Sequence, residues 1–187
     1  MKLISWVLLL DKWWMRALNS IGSASAAAFV FRVITEFGGL IYIWLAAAFI
    51  AFVAAKRRSH AAVILAALAS MLLAQVATDL LKIAVGRLRP FIEMPDIVRY
   101  GALETSYSFP SAHASRAFAS AEVLSAGFKR LRPLWYALAF AIALSRVVLG
   151  LHYPIDVIFG ALLGCGFGLA FAKLVKSSRS PRQGAYR

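Results

Sequence analysis

Long apolar runs dominate this sequence and restrict its possible folds more than any other feature. Hydrophobic residues account for 61% of the 187 residues, well above the share in an average soluble domain. A chain of this length buries only about 70% of its surface on folding in water, so it cannot enclose that much apolar area. Lipid must therefore be its solvent, and helices satisfy every backbone hydrogen bond in lipid. We predict an all-α, polytopic transmembrane helix bundle.

Five apolar runs are long enough to be clear membrane spans. They cover residues 38–55, 60–82, 111–128, 133–149 and 154–175. Ahead of them, residues 1–37 carry three tryptophans beside Lys12 and Arg16, which suits either an N-terminal interfacial helix or a short sixth span. Residues 1–176 are assigned to a single transmembrane domain, and the polar residues 177–187 to a basic cytoplasmic tail that is disordered.

The basic residues predict how the bundle is oriented. If residues 56–58 are cytoplasmic, alternating spans place loops 86–110 and 150–153 outside and residues 129–132 inside. Cations concentrate on the cytoplasmic side of membrane proteins, and this arrangement puts all of the following on one side: Lys56, Arg57, Arg58, Lys129, Arg130, Arg132, Lys173, Lys176, Arg179, Arg182 and Arg187. The net charge of +13 is then a topology signal, and no nucleic acid partner is expected.

Ionisable residues from four spans converge near the presumed outer face. They are Asp79, Lys82, Arg87, Arg89, His113, Arg116, Arg146, His152 and Asp156. Such groups are costly within a membrane segment and usually functional. Several cations beside two histidines make a site for a highly charged anion, and phosphate is the obvious candidate because arginine forks match its oxygens.

Two short segments have the local geometry that a phosphate site needs. Ser111 follows Pro110 at a predicted helix start, where it is a plausible N-cap and the N–H groups of the first turn favour an anion. His152 and Asp156 are one helical turn apart, and Pro154 suits the first turn of that helix. The carboxylate can accept the second ring N–H of the histidine and fix its tautomer.

Three motifs, in order, resemble the signature of the type 2 phosphatidic acid phosphatase superfamily, which shares its site with vanadium-dependent haloperoxidases and bacterial acid phosphatases. The motifs are Lys82 followed after six residues by Arg89-Pro90; Pro110-Ser111-Ala112-His113; and Ser145-Arg146 followed after five residues by His152 and, three residues later, Asp156. The match covers residues 82–156. Ala112 replaces the usual glycine of the family, but it keeps the backbone N–H that would contact phosphate.

The resemblance implies a role for each motif residue. His152 would attack phosphorus and form a phosphohistidine, with Asp156 orienting it, while His113 would protonate the leaving group and then activate water. The phosphoryl oxygens would be held by Lys82, Arg89, Ser111, Ala112 and Arg146. Three cations would supply the neutralisation that Mg²⁺ provides elsewhere, so no metal and no cofactor are expected.

Two further features have a simpler interpretation. Arg87 falls at a variable position of the first motif and is interpreted as an interface anchor. Gly160, Gly164 and Gly168 are spaced four residues apart and are interpreted as a ridge for close helix packing.

The predicted function is hydrolysis of a lipid phosphate or diphosphate at the periplasmic face of the bacterial cytoplasmic membrane, so the partners are the lipid substrate and the bilayer. Undecaprenyl diphosphate, phosphatidylglycerophosphate, phosphatidic acid and a lipid A-type phosphate all remain open as substrates. The alternatives are a lipid-to-lipid phosphotransferase and a non-enzymatic anionic-lipid-binding protein, although the second would not need His152 and Asp156 at their spacing. A haloperoxidase is disfavoured by the spans, because that branch is soluble.

Overall fold

The computed structural model describes residues 2–39 and 58–179, and every regular element in these two segments is helical. The helices are α1 Lys2–Asn19, α2 Ser25–Gly39, α3 Arg58–Val85, α4 Pro90–Glu93, α5 Ala112–Gly127, α6 Arg132–Val148 and α7 Pro154–Arg179. Single 3₁₀ turns, Ser20–Ser23 and Lys129–Leu131, connect α1 to α2 and α5 to α6. The predicted all-α class is confirmed for this part of the chain.

The number of spans is lower than predicted in the part of the chain that the structure describes. Three helical segments are long and apolar enough to cross a membrane, Ala61–Glu93, Lys129–Val148 and Pro154–Lys176. The pair Ser5–Ser23 and Ser25–Glu36, bent by 107°, makes a fourth if it counts as one span. The predicted span 38–55 lies almost entirely outside the described residues. The predicted span 111–128 is present as α5, but α5 is not among the candidate spans.

Helix α5 lies in the centre of the bundle, and its position explains its composition. It packs against α3, α6 and α7, and nine of its 16 residues are buried, most of them alanine or serine. At 1.5 Å per residue it is about 24 Å long, shorter than the roughly 30 Å hydrocarbon core of a bilayer. Because protein rather than lipid surrounds it, α5 needs no apolar perimeter, and its small side chains let the neighbouring helices approach closely.

The glycine ridge of α7 packs directly against α5, which confirms the packing interpretation. An added Cβ at Gly160 or Gly164 would collide with the carbonyl oxygen of Ser111 or Ser115, respectively. This close approach also aligns the starts of the two helices, since the Ser111 N–H donates to the carbonyl oxygen of Asp156 at 2.9 Å. The ridge therefore brings the second and third motifs together.

Helix α1 lies at the end of the bundle that carries the motifs. Lys12 pairs with Glu93 at 2.6 Å, and Arg16 pairs with Asp96 at 2.5 Å. Asn19 adds hydrogen bonds to the backbone of Val98. The opposite face exposes large apolar side chains, among them Trp6, Leu9, Leu10, Trp13 and Trp14. A polar face held by the loop and an exposed apolar face are compatible with a helix lying in the membrane interface, and with one arm of the bent pair that makes the fourth candidate span.

The C-terminal boundary differs slightly from the prediction. Helix α7 continues to Arg179, three residues past the predicted end of the transmembrane domain. Residues 180–187 lie outside the described part of the chain, so the disorder of the tail stays a prediction.

Candidate active site

The predicted site residues come together at one end of the bundle. Lys82 and Arg89 flank the end of α3, Arg146 lies near the end of α6, and the remaining residues lie at the starts of α5 and α7. These are Ser111, Ala112, His113, His152 and Asp156. The segment 94–111 covers them and contributes several further polar groups.

Two buried arginines form the centre of the site. Arg89 is 1% exposed and Arg146 is 2% exposed, and both bind the carboxylate of Glu104. Arg89 Nη2 lies 2.6 Å from Glu104 Oε2, while Arg146 Nη2 makes a shorter contact with Oε1. Burial opposes the charged form of this carboxyl, but the charges of Arg146 and Arg89 outweigh it and lower the pKa of Glu104. An anion with two oxygens thus occupies the space between the guanidiniums.

Lys82 joins the arginines through Ser106, a residue that the sequence analysis did not single out. Lys82 Nζ and Arg89 Nη2 each donate to Ser106 Oγ at 3.0 Å. Arg89 Nε also donates to the Ser106 carbonyl oxygen at 2.7 Å. Lys82 is itself buried, so three cations that are withdrawn from solvent surround one small space.

The imidazole of His152 faces these cations with an unprotonated nitrogen. Its Nε2 lies 3.3 Å from Arg89 Nη1, and a guanidinium can only donate, so Nε2 accepts and the ring proton resides on Nδ1. Burial, followed by the charges of Arg89 and Arg146, lowers the pKa of His152 well below its ordinary value of 6.5. The ring is therefore neutral, and its Nε2 lone pair is directed towards the anion-binding space.

Asp156 lies in the first turn of α7 and close to His152, which precedes that helix by two residues, so the two do not share a helical turn as predicted. Its Oδ2 is 3.7 Å from His152 Nδ1, slightly too far for a hydrogen bond. The Ser108 hydroxyl at 2.5 Å and the Tyr153 N–H at 2.9 Å fix this carboxylate. A movement of about 0.5 Å would bring Nδ1–H into hydrogen-bonding range, and the carboxylate is oriented to accept it.

The interpretation of Arg87 as an interface anchor is wrong. Its side chain is 16% exposed and forms ion pairs with Asp156 at 2.6 Å and Asp11 at 2.7 Å. The guanidinium also lies 3.9 Å above the centre of the Tyr153 ring. Arg87 therefore holds the carboxylate that lies beside His152.

Asp11 extends this network into α1, and sequence reasoning did not identify it as a site residue. Its side chain is fully buried, and its second oxygen accepts the N–H of Ile155 at 2.9 Å. One signal was available, because Asp11 directly follows the apolar run that ends at Leu10, and a buried acid in such a position requires a partner. The N-terminal helix thus fixes the start of α7.

The start of α5 offers further donors to the same space. Ser111 is the N-cap residue, but its hydroxyl does not cap the helix and has no hydrogen-bond partner among the described residues. The N–H groups of Ala112 and His113 belong to the first turn, where helical N–H groups lack intrahelical partners. Arg146, Lys82 and His152 all lie close enough to His113 to act on its charge.

Comparisons with known proteins identify a family and several relatives. The family model described as PAP2 superfamily matches residues 63–180. The bacitracin transport permease protein BcrC of Bacillus licheniformis is 40% identical over 76 residues, which is 41% of this chain and only 37% of that protein. The decaprenylphosphoryl-5-phosphoribose phosphatase of Mycobacterium tuberculosis is 36% identical over 137 residues, which is 73% of this chain and 74% of that protein.

A solved structure shows the same fold. The crystal structure of the first transmembrane PAP2 type phosphatidylglycerolphosphate phosphatase from Bacillus subtilis matches with a TM-score of 0.73. The match covers 95% of this chain and 89% of that chain at 22% identity. Similarity at this level of identity concerns the arrangement of the helices.

Proposed function

Because the chain belongs to the PAP2 superfamily, we propose that it is a membrane phosphatase that hydrolyses a lipid-linked phosphate through a phosphohistidine formed on His152. The relative that covers three-quarters of this chain is itself named a phosphatase of a lipid-linked substrate. The chain is then a phosphoester hydrolase. The residues that would carry out the phosphoryl transfer are His152, His113 and Asp156.

The observation that carries this proposal is the carboxylate of Glu104 between Arg89 and Arg146. The two arginines bind this anion through both of its oxygens, and His152 Nε2 is directed at the same space. Glu104 lies in the covering segment and its side chain is 26% exposed, so it can leave. A phosphoryl group in its place would meet both guanidiniums, with an imidazole lone pair beside the phosphorus atom.

The first step would transfer the phosphoryl group from lipid to His152. Nε2 attacks phosphorus in line, a bond from nitrogen to phosphorus forms, and the bond to the leaving oxygen breaks with its electron pair on that oxygen. His113 donates a proton to that oxygen. Lys82, Arg89 and Arg146 neutralise the charge on the equatorial oxygens, and Asp156 stabilises the positive charge that develops on the ring.

The second step would return the enzyme to its starting state. His113, now neutral, takes a proton from water as the water oxygen attacks phosphorus, and the bond between phosphorus and nitrogen breaks. Phosphate leaves, and the Nε2 lone pair is restored. Each proton that His113 gives in the first step is recovered in the second, so the two steps close a cycle.

Among lipid phosphates we propose a polyprenyl lipid that carries a terminal phosphate. The Mycobacterium tuberculosis relative is named for a decaprenyl-linked sugar phosphate, and its similarity extends over most of both chains. An undecaprenyl diphosphate fits the same description. Purified protein should release phosphate from these two lipids with a higher kcat/KM than from phosphatidylglycerophosphate, phosphatidic acid or lipid A. A higher kcat/KM for phosphatidic acid would contradict the polyprenyl assignment and leave the chemistry unaffected.

The reaction should proceed at its full rate in excess EDTA and should be inhibited by vanadate. Lys82, Arg89 and Arg146 repel a divalent cation and attract its phosphate counterpart, so charge neutralisation does not require a metal. Vanadate can adopt a trigonal bipyramid that resembles the in-line transition state, and we expect it to compete with the substrate. Phosphate release from the polyprenyl substrates with and without EDTA measures this. Loss of activity in EDTA and its return with Mg²⁺ would show that the reaction depends on a metal.

We place the site on the extracytoplasmic face, because the basic turn Lys129–Leu131 lies at the other end of the bundle. Single cysteines at Asp96 and Arg130, both exposed positions, should distinguish the faces in a Cys165→Ser background. A membrane-impermeant thiol reagent should label position 96 in intact cells and position 130 only after permeabilisation. Asp96 gives up only its solvent-exposed pair with Arg16, a kind of pair worth little to stability. The reverse labelling pattern would invert the orientation.

A further inference from the structure

A second polar cavity lies at the end of the bundle opposite the candidate active site. Its volume is about 470 Å³, within the size range of small-molecule sites. It is an open cleft between the last turns of α5 and α7 and the 3₁₀ turn that leads into α6. The polar residues that line it are Glu122, Ser125, Lys129, Arg132, Lys173 and Lys176.

The cavity has a large excess of positive charge that the chain does not neutralise. None of its four cations forms an ion pair with a residue in the described segments. The single acid, Glu122, accepts a close hydrogen bond from the Tyr136 hydroxyl. The contrast with the other end of the bundle is informative, because Arg87, Arg89 and Arg146 are all paired there with carboxylates of the chain. The four cations at this end are exposed to solvent and are therefore available to an anion from outside the chain.

The inner wall of the cavity holds a hydroxyl that also lacks a partner. Ser125 is 7% exposed, and its Oγ makes no hydrogen bond to any described residue. Glu122 and Ser125 are three residues apart and share one side of α5, and Lys129 lines the same cavity from the 3₁₀ turn that follows. A buried hydroxyl without a partner is uncommon in folded proteins, and here it could donate to a bound anion.

A simpler explanation of the cations is that they fix topology or offset a helix dipole. Lys129 follows the end of α5, where a positive charge is favourable, and basic residues are enriched at the cytoplasmic ends of spans. Neither effect requires side chains from two different helices to line one cavity around a buried serine. Lys173 and Lys176 also precede the end of α7 at Arg179 by three or more residues.

We propose that this cavity binds the phosphate group of an anionic phospholipid from the leaflet opposite the active site. Basic pockets between transmembrane helices bind lipid headgroups in this way. The apolar part of the lining, which includes Leu169 and Ala172, identifies a lipid as the occupant. Leu169 is exposed, as are Leu162 and Leu174 on the same helix, so the cavity opens onto a surface that suits acyl chains. This inference is independent of the chemistry at His152.

The test compares two neighbouring cations in purified full-length protein. Lys129 lines the cavity, whereas Arg130, the next residue of the same 3₁₀ turn and also exposed, does not. In phosphatidylcholine nanodiscs with increasing phosphatidylglycerol, the parent protein should show a saturable rise in Tm. Lys129→Gln should weaken the apparent affinity on the order of tenfold, as expected for the loss of one charge-assisted hydrogen bond to phosphate, and Arg130→Gln should leave it unchanged within about twofold. Equal effects of the two variants would overturn the proposal, because they would indicate diffuse surface charge.

A second variant separates binding from folding and from net charge. Ser125→Ala removes only a hydroxyl without a partner, so its Tm in pure phosphatidylcholine should equal that of the parent. Its affinity for phosphatidylglycerol should still fall severalfold, and an unchanged affinity would contradict the assigned cavity. A parallel titration with inorganic phosphate distinguishes the source of the anion. Stabilisation by inorganic phosphate that depends on Lys129, without any by phosphatidylglycerol, would overturn the lipid assignment.

Discussion

Replacing His152 with alanine should abolish both turnover and the covalent intermediate. The Nε2 lone pair of His152 is directed at the space between Arg89 and Arg146, where the phosphoryl group would bind. Loss of a nucleophile that acts with its partners as a unit reduces kcat on the order of 10⁴–10⁶-fold. We expect His152→Ala to retain binding of vanadate only weakly, because the bond from nitrogen to vanadium is lost.

The measurement is a rapid quench with a phosphorus-labelled lipid. The parent protein should carry label that survives alkali and is lost in acid, because a phosphorus–nitrogen bond is stable in alkali and is hydrolysed in acid. His152→Ala should carry no label. His152→Gln fills most of the space left by the ring and should behave in the same way, which excludes a packing defect as the cause. The matched control is His60→Ala, which changes the remaining histidine of the three in the chain and should label normally. Alkali-stable label on His152→Ala would place the nucleophile elsewhere.

The sequence predicts the motif residues well because phosphate chemistry requires particular side chains at short, fixed spacings. His152 and Asp156 are four residues apart around the start of α7, and Ser111 directly precedes α5, so local geometry is sufficient to relate the members of each motif. The structure brings these groups to the same end of the bundle. Spacing along the chain, however, does not show that Nδ1 of His152 and the Asp156 carboxylate are 3.7 Å apart, since that distance depends on how α6 and α7 pack.

The residues that sequence analysis missed act through contacts between distant parts of the chain. Asp11 binds Arg87 and Ile155, and Glu104 binds Arg89 and Arg146. No periodicity or motif relates these positions, so their partners become evident only when α1 and the segment 94–111 are placed on the bundle. Arg87 was misread for the same reason, because its two carboxylate partners lie in different helices.

The span count shows where hydropathy has limited power. A helix that faces lipid must be apolar around its perimeter, and α3 and α7 satisfy that rule. Helix α5 faces protein on most sides, so alanine and serine serve there as well as leucine does in lipid. Hydropathy identifies α5 as the least apolar run. It cannot show that other helices surround α5, so that a short helix without an apolar perimeter is stable there.

Replacing His113 with alanine should slow formation of the phosphohistidine by an amount that depends on the leaving group. With a phosphomonoester the departing oxygen is an alkoxide, comparable in basicity to hydroxide, whose conjugate acid has a pKa of about 15.7. With a diphosphate the departing group is a phosphate, whose second pKa is about 6, so it needs little protonation. We expect a loss on the order of 10²–10⁴-fold for the monoester and a much smaller loss for the diphosphate. Single-turnover rates of label transfer to the protein measure both.

The second step gives His113→Ala a distinct signature, because the same residue would activate water. With a diphosphate substrate, intermediate formation is largely preserved while its hydrolysis is slowed, so labelled protein should accumulate to nearly one phosphate per chain. The released lipid monophosphate should appear as a burst of equal size. His113→Gln, which restores most of the volume but cannot act as an acid or base here, should reproduce both results. Equal losses in the first step for the two substrates would mean that another group protonates the leaving oxygen, and Lys82, whose ammonium lies beside the same space, would then be the first residue to test.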